Sequence, residues 1–376
     1  MISIQEVKTK KQQKEFLNFP LKMYKDNPYF APPLYMDEVK IFRKDYSYYD
    51  TCEAVYFNAY KDGVMAGRIA GILQKAANEK NGEKRVRFDR FDAINDQEVA
   101  NALFGAVEKW AAGKGMDTIC GPLGFSDLER EGLLIEGFDQ MSTFEEQYHA
   151  PYYRTLVEGW GFQKEVDWVE SKLYLPEKKD ERLHKMAELM LKKYELHIGT
   201  AKNVKDFLAK YKDDFFDLLD TAYEGLYGTV PFTDSMKQTL IANFNLIIDL
   251  DHVVVILDKN ERVVCLGLCF PNIASALRKS SGHLTPGALV RVLKAIKKPE
   301  IIDLGLIAVA EEYKNKGIPA VICAGLMDML AEDGIDHAET NLNLEDNMAI
   351  RNMWKRFKQV EHKRRRAYVK TIGETL

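Results

Sequence analysis

Residues 301–357 read IIDLGLIAVAEEYKNKGIPAVICAGLMDMLAEDGIDHAETNLNLEDNMAIRNMWKRF, and they constrain the fold more than any other stretch of the chain. Ile301 to Val309 is a short, almost wholly apolar run, the pattern of a strand buried on both faces. Glu311 to Lys316 is a charged turn. Gly317 opens a helical stretch in which Ile318, Val321, Ile322, Gly325, Leu326, Met329 and Leu330 fall at helical spacing, and Gly334 ends it. A second strand is expected at about His337 to Leu344, then another helix from Asp346. This order aims backbone N–H groups and the positive end of a helix at one point, an anion site suited to a pyrophosphate.

The other elements suggest that this unit has a counterpart earlier in the chain. Ile2 to Val7 alternates as a strand, and Lys10 to Asp26 reads as a helix. Cys52 to Tyr60 and Val64 to Leu73 flank Asp62-Gly63, a hairpin signal. Val86 to Ala93 alternates as a half-solvated strand, Gln97 to Ala112 is an amphipathic helix, and Met116 to Gly121 is another strand. The second half repeats this order: helices in 204–227, a hairpin of His252 to Leu257 and Val263 to Phe270, then the 301–357 unit. At 376 residues, two domains are expected. The polar, proline-marked stretch Leu175 to Asp180 places them at 1–176 and 177–376. The fold class is α/β (α+β), a mixed central sheet flanked by helices.

Composition narrows the function. Hydrophobic content of 46%, charged content of 29% and a net charge of -4 describe an ordinary globular protein with no general attraction to nucleic acid. No segment has the apolar length of a transmembrane span, and Met1 to Lys11 lacks a signal-peptide core. The five cysteines form no CxxC pair, and the odd count argues against a disulfide framework. A reducing cytoplasm and no metal site are the expectations.

Tyr313-Lys314-Asn315-Lys316-Gly317-Ile318-Pro319-Ala320 resembles the acyl-CoA pyrophosphate loop of the GCN5-related N-acetyltransferase (GNAT) superfamily. Lys314 stands in the Gln/Arg slot, Gly317 in the first glycine slot, and Pro319 where a second Gly or Ala belongs. Asn347, Trp354 and Phe357 resemble the spacing of that superfamily's last helix. Trp354 occupies the slot of the tyrosine that often protonates the departing CoA thiolate, and an indole N–H is no acid near neutral pH. In the first half, Pro151 to Phe162 resembles the same helix, with Val157 in the tyrosine slot. There only Ile94-Asn95-Asp96 joins strand to helix, so no phosphate loop is expected. The resemblance implies tandem acyltransferase-like domains with acetyl-CoA or a longer acyl-CoA as co-substrate, bound by the second.

What the resemblance implies for residues is specific. Pyrophosphate would sit on the N–H groups of Lys316, Gly317, Ile318 and Ala320, with Lys314 as countercharge. Backbone N–H groups about Ala308 and Val309 would polarise the thioester carbonyl, and Asn347 would complete the cofactor set. Tyr223, Tyr227, Phe232 and Trp354 would wall the acceptor pocket, the plain alternative for the aromatics being core. Candidate groups to orient or deprotonate an amine are Glu224 and the alternating Glu339, Asn341, Asn343 and Glu345. The acceptor is a small-molecule or lipid-like amine. The non-catalytic alternative is a tandem scaffold that binds CoA or an amine.

Three further stretches carry two readings each. The glycine-rich, acidic Gly121 to Asp139 follows a strand; it is either a loop closing over a substrate amine or a long surface loop. Residues 271–299 hold a basic amphipathic helix with Leu289, Val290, Leu293 and Ile296 on one side. Its ordinary reading sets that stripe on the core, the other being weak contact with an anionic membrane surface. Lys363 to Arg366 is a basic run read as a solvated strand face or a phosphate counterion.

Overall fold

The computed structural model describes residues 1–143, 145–177, 181–332 and 334–373, those of 244–246 by backbone alone. Residues 178–180 of the expected linker lie outside the described residues. The first half runs β1 (Ile2–Glu6), α1 (Lys10–Met23), α2 (Tyr35–Glu38), β2 (Cys52–Lys61), β3 (Val64–Gln74), α3 (Lys75–Asn81), β4 (Arg85–Ala93), α4 (Gln97–Gly113), β5 (Thr118–Gly121), β6 (Leu133–Glu136), α5 (Tyr153–Glu158) and β7 (Gln163–Tyr174). The second runs α6 (Glu181–Lys193), β8 (His197–Ile198), α7 (Val204–Tyr223), α8 (Asp234–Ile247), β9 (Val253–Leu257), β10 (Val263–Pro271), α9 (Ala274–Arg278), α10 (Pro286–Lys297), β11 (Ile301–Val309), α11 (Pro319–Leu330), β12 (His337–Thr340), β13 (Asn343–Leu344), α12 (Met348–Trp354) and β14 (Lys358–Thr371).

Local chemistry sets several boundaries. Thr9 and Gln12 satisfy each other's backbone N–H groups at the start of α1, a capping box. Asp96 caps α4, its Oδ1 accepting from the N–H groups of Glu98 and Val99. That carboxylate also pairs with Lys61, so the first half's strand-to-helix turn is closed by an acid rather than open to an anion.

One mixed sheet crosses the molecule in the order β1-β2-β3-β4-β5-β14-β7-β12-β11-β10-β9-β8. Its centre is an exchange. β14, the last strand, lies between β5 and β7, and β7, from the first half, pairs with β12 and β13 of the second. Each half therefore supplies the strand that continues the other's sheet.

The exchange overturns the solvated reading of Lys363 to Arg366. β14 is paired on both sides, so one of its faces is interior. Lys363 and Arg365 are buried. Lys363 Nζ lies 2.8 Å from Glu170 of β7 and 3.2 Å from Glu339 of β12. Arg365 Nε donates to Glu170 at 2.7 Å and Nη1 to the Gln147 carbonyl at 2.6 Å. Arg364 and Arg366 face the other way and share Asp167.

α10 also departs from expectation. Its buried residues are Ala288 and Val292. Leu289, Val290 and Leu293 are 40%, 68% and 46% exposed, so three of the four stripe residues face outward, while Ile296 packs against the core.

Candidate active site

β11 and β12 run parallel and pair from Ile301 opposite His337 to Leu304 opposite Thr340. Beyond that they part. β11 continues to Val309 along β10, while the chain after β12 leaves β11 and stays on β7 through Asn343 and Leu344. The expected single strand from His337 to Leu344 is thus two short strands. Among the described residues, the edge of β11 from Gly305 to Val309 has no strand opposite it. The gap opens into a cavity of about 1150 Å³ whose lining comes from both halves.

The two ends of the cavity differ in chemistry. Leu240 of α8, Val254 of β9, Leu268 and Phe270 of β10, and Leu326 and Met329 of α11 give an apolar wall. The first half gives a charged one, including Glu38, Asp89, Arg90, Asp127, Arg130 and Glu131. The stretch after β5 is therefore no surface loop. A bridge between Leu123 and Glu131 closes it, and it turns its side chains inward.

Most of the anticipated site residues meet here. Ala308, Val309, Lys314 and Pro319 line the cavity, as do Asn341, Asn343 and Asn347. So do Tyr223, Tyr227 and Trp354. Several already have partners. Trp354 Nε1 donates to Asn343 Oδ1 at 2.8 Å. Asn347 caps α12, accepting from the Ile350 N–H, and Asn341 accepts from the Leu342 N–H. Tyr223 Oη donates to the Ile307 carbonyl of β11 at 3.1 Å, and Tyr227 Oη to Glu165 at 2.6 Å.

Others fall elsewhere. Glu224 is exposed, and its carbonyl holds Lys80 Nζ at 2.7 Å. Phe232 is edge-on to Phe216 against the core, the plain reading for an aromatic. Glu339 is buried behind the sheet. Burial pushes its carboxyl up, but Lys363, His337 and His362 outweigh that and hold it well below the usual carboxylate range. A carboxylate so held is a poor base, and Glu339 does not line the cavity. The alternation expected from Glu339 to Glu345 fails where β12 gives way to β13.

The phosphate loop has the expected turn but fewer free donors than five residues suggest. Gly317 sits at φ +73°, a left-handed conformation that glycine adopts without strain. The Lys316 N–H donates to Tyr313, Ala320 to Gly317 and Val321 to Ile318. Pro319 has none. Among the described residues, the N–H groups of Gly317 and Ile318 are left without an acceptor. Lys314 is half-exposed and pairs with Glu311 at 2.6 Å, while Lys316 lies over the rings of Tyr194 and Tyr313.

On the charged wall, most groups are mutually satisfied. Arg90 pairs with Asp89 and with Glu38 at 3.1 Å, and Arg130 with Glu38 at 3.0 Å. Glu129 accepts from Tyr46 Oη at 2.7 Å and from the Phe125 N–H. Glu131 differs: it is buried and its Oε1 has no partner. Burial, then the neighbouring Asp127, push its carboxyl well above the usual range, against Arg87. Sequence reasoning singled out this stretch by its glycines and by its acids Asp127, Glu129, Glu131, Glu136 and Asp139, but nothing in it set Glu131 apart from the others. It missed His252, a buried lining residue whose Nδ1 has no partner.

No family model matches the chain. Protein YghO of Escherichia coli (strain K12) is 27% identical over 376 residues, covering 96% of this chain and 94% of that one. Bacterial ceramide synthase of Caulobacter vibrioides (strain NA1000 / CB15N) is 23% identical over 390 residues, covering 99% and 98%. Among solved structures, a tandem GNAT protein from the clavulanic acid biosynthesis pathway matches over 100% of both chains, with a TM-score of 0.57 at 11% identity. The likeness is one of fold, and the fold is the tandem GCN5-related N-acetyltransferase fold that the phosphate-loop pattern implied.

Proposed function

With the tandem acetyltransferase fold as premise, we propose that this chain moves an acyl group from acyl-CoA to an amine, with the CoA on the second of two units, 1–176 and 177–376. The observation that carries the reading is the parting of β11 from β12 and β13. It leaves a strand edge on which Val309 presents its N–H, able to polarise a thioester carbonyl, while Ala308 beside it turns its own toward β10. The amine nitrogen attacks that carbonyl, the C–N bond forms, the C–S bond breaks, and CoA leaves as the thiolate. Trp354 supplies no proton, so the thiolate takes one from water. At the loop, the N–H groups of Gly317 and Ile318 and the Lys314 charge hold the pyrophosphate.

The donor is a long-chain acyl-CoA and the acceptor a lipid-like amine. The wall of α8, β9, β10 and α11 is apolar and suits an extended hydrocarbon, whereas an acetyl group has no use for it. A ceramide carries an amide-linked acyl chain on a long-chain amine, so the name of the Caulobacter relative supports this choice. No helix among the described residues is long and apolar enough to cross a membrane. The outward face of α10, flanked by Arg291, Lys294 and Lys297, suits weak contact with an anionic membrane surface. We place the chain in the cytoplasm.

Calorimetric titration with acetyl-CoA, a long-chain acyl-CoA and free CoA tests the reading, followed by CoA release with a panel of amines. Preference for the long chain and release of CoA with a long-chain amine are expected. Gly317→Glu, which puts a carboxylate into the loop, should abolish CoA binding; full affinity in that variant sinks the loop assignment. A second reading has its own observation: most loop N–H groups, and the Trp354 indole N–H, are already engaged. It makes the chain a non-catalytic binder of CoA or an amine, and predicts binding without CoA release.

A further inference from the structure

We infer that the loop after β5 builds the acceptor-amine site of this cavity, and that Glu131 takes the proton from the attacking nitrogen. The inference rests on the acyl-transfer reading above and names the group which that reading lacks, since Glu224 and Glu339 both lie away from the cavity.

The charges of the loop sort themselves by what they already hold. Glu129 has Tyr46 and the Phe125 N–H, and Arg130 has Glu38. Asp127 keeps one long contact, from the Val230 N–H at 3.3 Å. Arg87, the cation nearest in chemistry, spends its guanidinium on the carbonyls of Gly124 at 3.1 Å and Gly228 at 2.9 Å. Among the described residues, Glu131 is left as a carboxyl 5% exposed, lining the cavity, with an unpartnered Oε1 and no ion pair. Glu146 lines the same cavity with an unpartnered Oε2, but it faces the Arg365 guanidinium at 3.9 Å and is compensated in part. A buried carboxyl without a donor is costly unless a ligand supplies one. The complement of Glu131, with Asp127 beside it, is a primary amine arriving as the ammonium ion.

The site is also in the right part of the fold. Glu131 Oε1 rests against Gly228, at φ +82°, where a Cβ would fall 2.6 Å from it. Gly228 follows the C-terminal end of α7, and Tyr223 in that end bonds the Ile307 carbonyl of β11. Burial raises the Tyr223 phenol, and the Asp127 charge adds to it, so the acidic loop is felt at the β11 edge. One short segment thus links the carboxyl to the strand assigned to the thioester. The apolar wall takes the hydrocarbon and the charged wall takes the amine.

The proton balance follows. Burial holds the Glu131 carboxyl toward its neutral form before the amine binds. As the ammonium ion binds and pairs with it, that proton leaves to solvent. The ammonium then gives one proton to the carboxylate, which passes it to solvent. The neutral amine attacks the thioester carbon, the C–N bond forms and the C–S bond breaks. The surplus proton on the new amide nitrogen goes to the same carboxylate, and CoA departs as the thiolate.

Glu131→Gln keeps the shape and removes the base. Dodecylamine is titrated by calorimetry into the full-length wild-type and variant chains, and CoA release is followed with a long-chain acyl-CoA and dodecylamine across pH. Acyl-CoA affinity should be unchanged, amine affinity should fall tenfold or more, and kcat/KM for the amine should fall by roughly 10²–10⁴. The acid limb of the wild-type pH profile should disappear in the variant. That limb reports Glu131 as set by Asp127, Arg87 and Glu146, the charged groups around it. The variant should melt no lower than wild type, because a buried unpaired carboxyl has gone. Equal amine affinity in the two chains, or no amine binding by wild type, overturns the site. Equal kcat/KM and equal pH profiles overturn the role as base. Amine binding through Glu131 without any CoA release overturns the acyl-transfer reading and the proton step, and leaves the amine site standing.

Discussion

Lys363 is enclosed by Glu170 and Glu339, and removing it leaves Glu170 with Arg365 and Glu339 with His337 and His362 in the interior. Lys363→Met should cost about 3–5 kcal/mol, read from urea unfolding. Lys314→Ala is the opposite case. Its pair with Glu311 is exposed and worth about 0–1 kcal/mol, so stability should hold while acyl-CoA affinity falls. Glu146 makes stability depend on pH. Burial raises its carboxyl from 4.5 to about 8, with Glu170 adding to it against Arg365. The folded chain therefore holds a proton that the unfolded chain releases. That stability is fully present below about pH 4.5 and is lost as pH rises through 8, on the order of a few kcal/mol over the whole window. Glu146→Gln should flatten that part of a pH series of urea midpoints. The part given to Lys314 was readable from the loop pattern; those of Lys363 and Glu146 were not. In Lys363-Arg364-Arg365-Arg366 every residue is charged, so the period of two gives no sign of which face is buried, and the deciding partner, Glu170, belongs to a distant strand.

α10 was readable as a helix and misread as to its face, for a related reason. Periodicity finds the stripe of Leu289, Val290 and Leu293 but cannot say whether protein covers it. The side turned to the core buries Ala288 and Val292, and Ile296 packs against it. Val290→Glu with Leu293→Glu should change folding stability by no more than about 0.5 kcal/mol each. The same pair should reduce co-sedimentation with vesicles containing an anionic lipid, and unchanged co-sedimentation removes the membrane assignment. Elsewhere the elements were largely legible. The hairpin at Asp62-Gly63, the Asp96 cap and the strand-turn-helix of β11 and α11 all follow from local chemistry. What failed was continuity: the run from His337 to Leu344 looks like one strand, yet β11 pairs with its first end alone while β7 pairs with both. That division opens the cavity, and it depends on strands brought together only by the fold.

Across the whole molecule, one sheet with exchanged central strands implies one cooperative unit. Urea unfolding should give a single transition, coincident by tryptophan fluorescence and far-ultraviolet circular dichroism. Two separated transitions would mean that the halves are independent. The tandem order was legible because element order repeats; the exchange was not, because each half read alone has a plausible last strand of its own. Its consequence reaches the ribosome. β5 emerges early, yet its neighbour β14 is made only after the entire second half. Until then the first half carries an open strand edge, the kind that invites pairing with a stranger. A stop codon just upstream of residue 358 would spare the loop at Gly317 and the second half's core, would take Ala367 and Tyr368 from the buried apolar residues, and would leave a chain whose two halves have no seam.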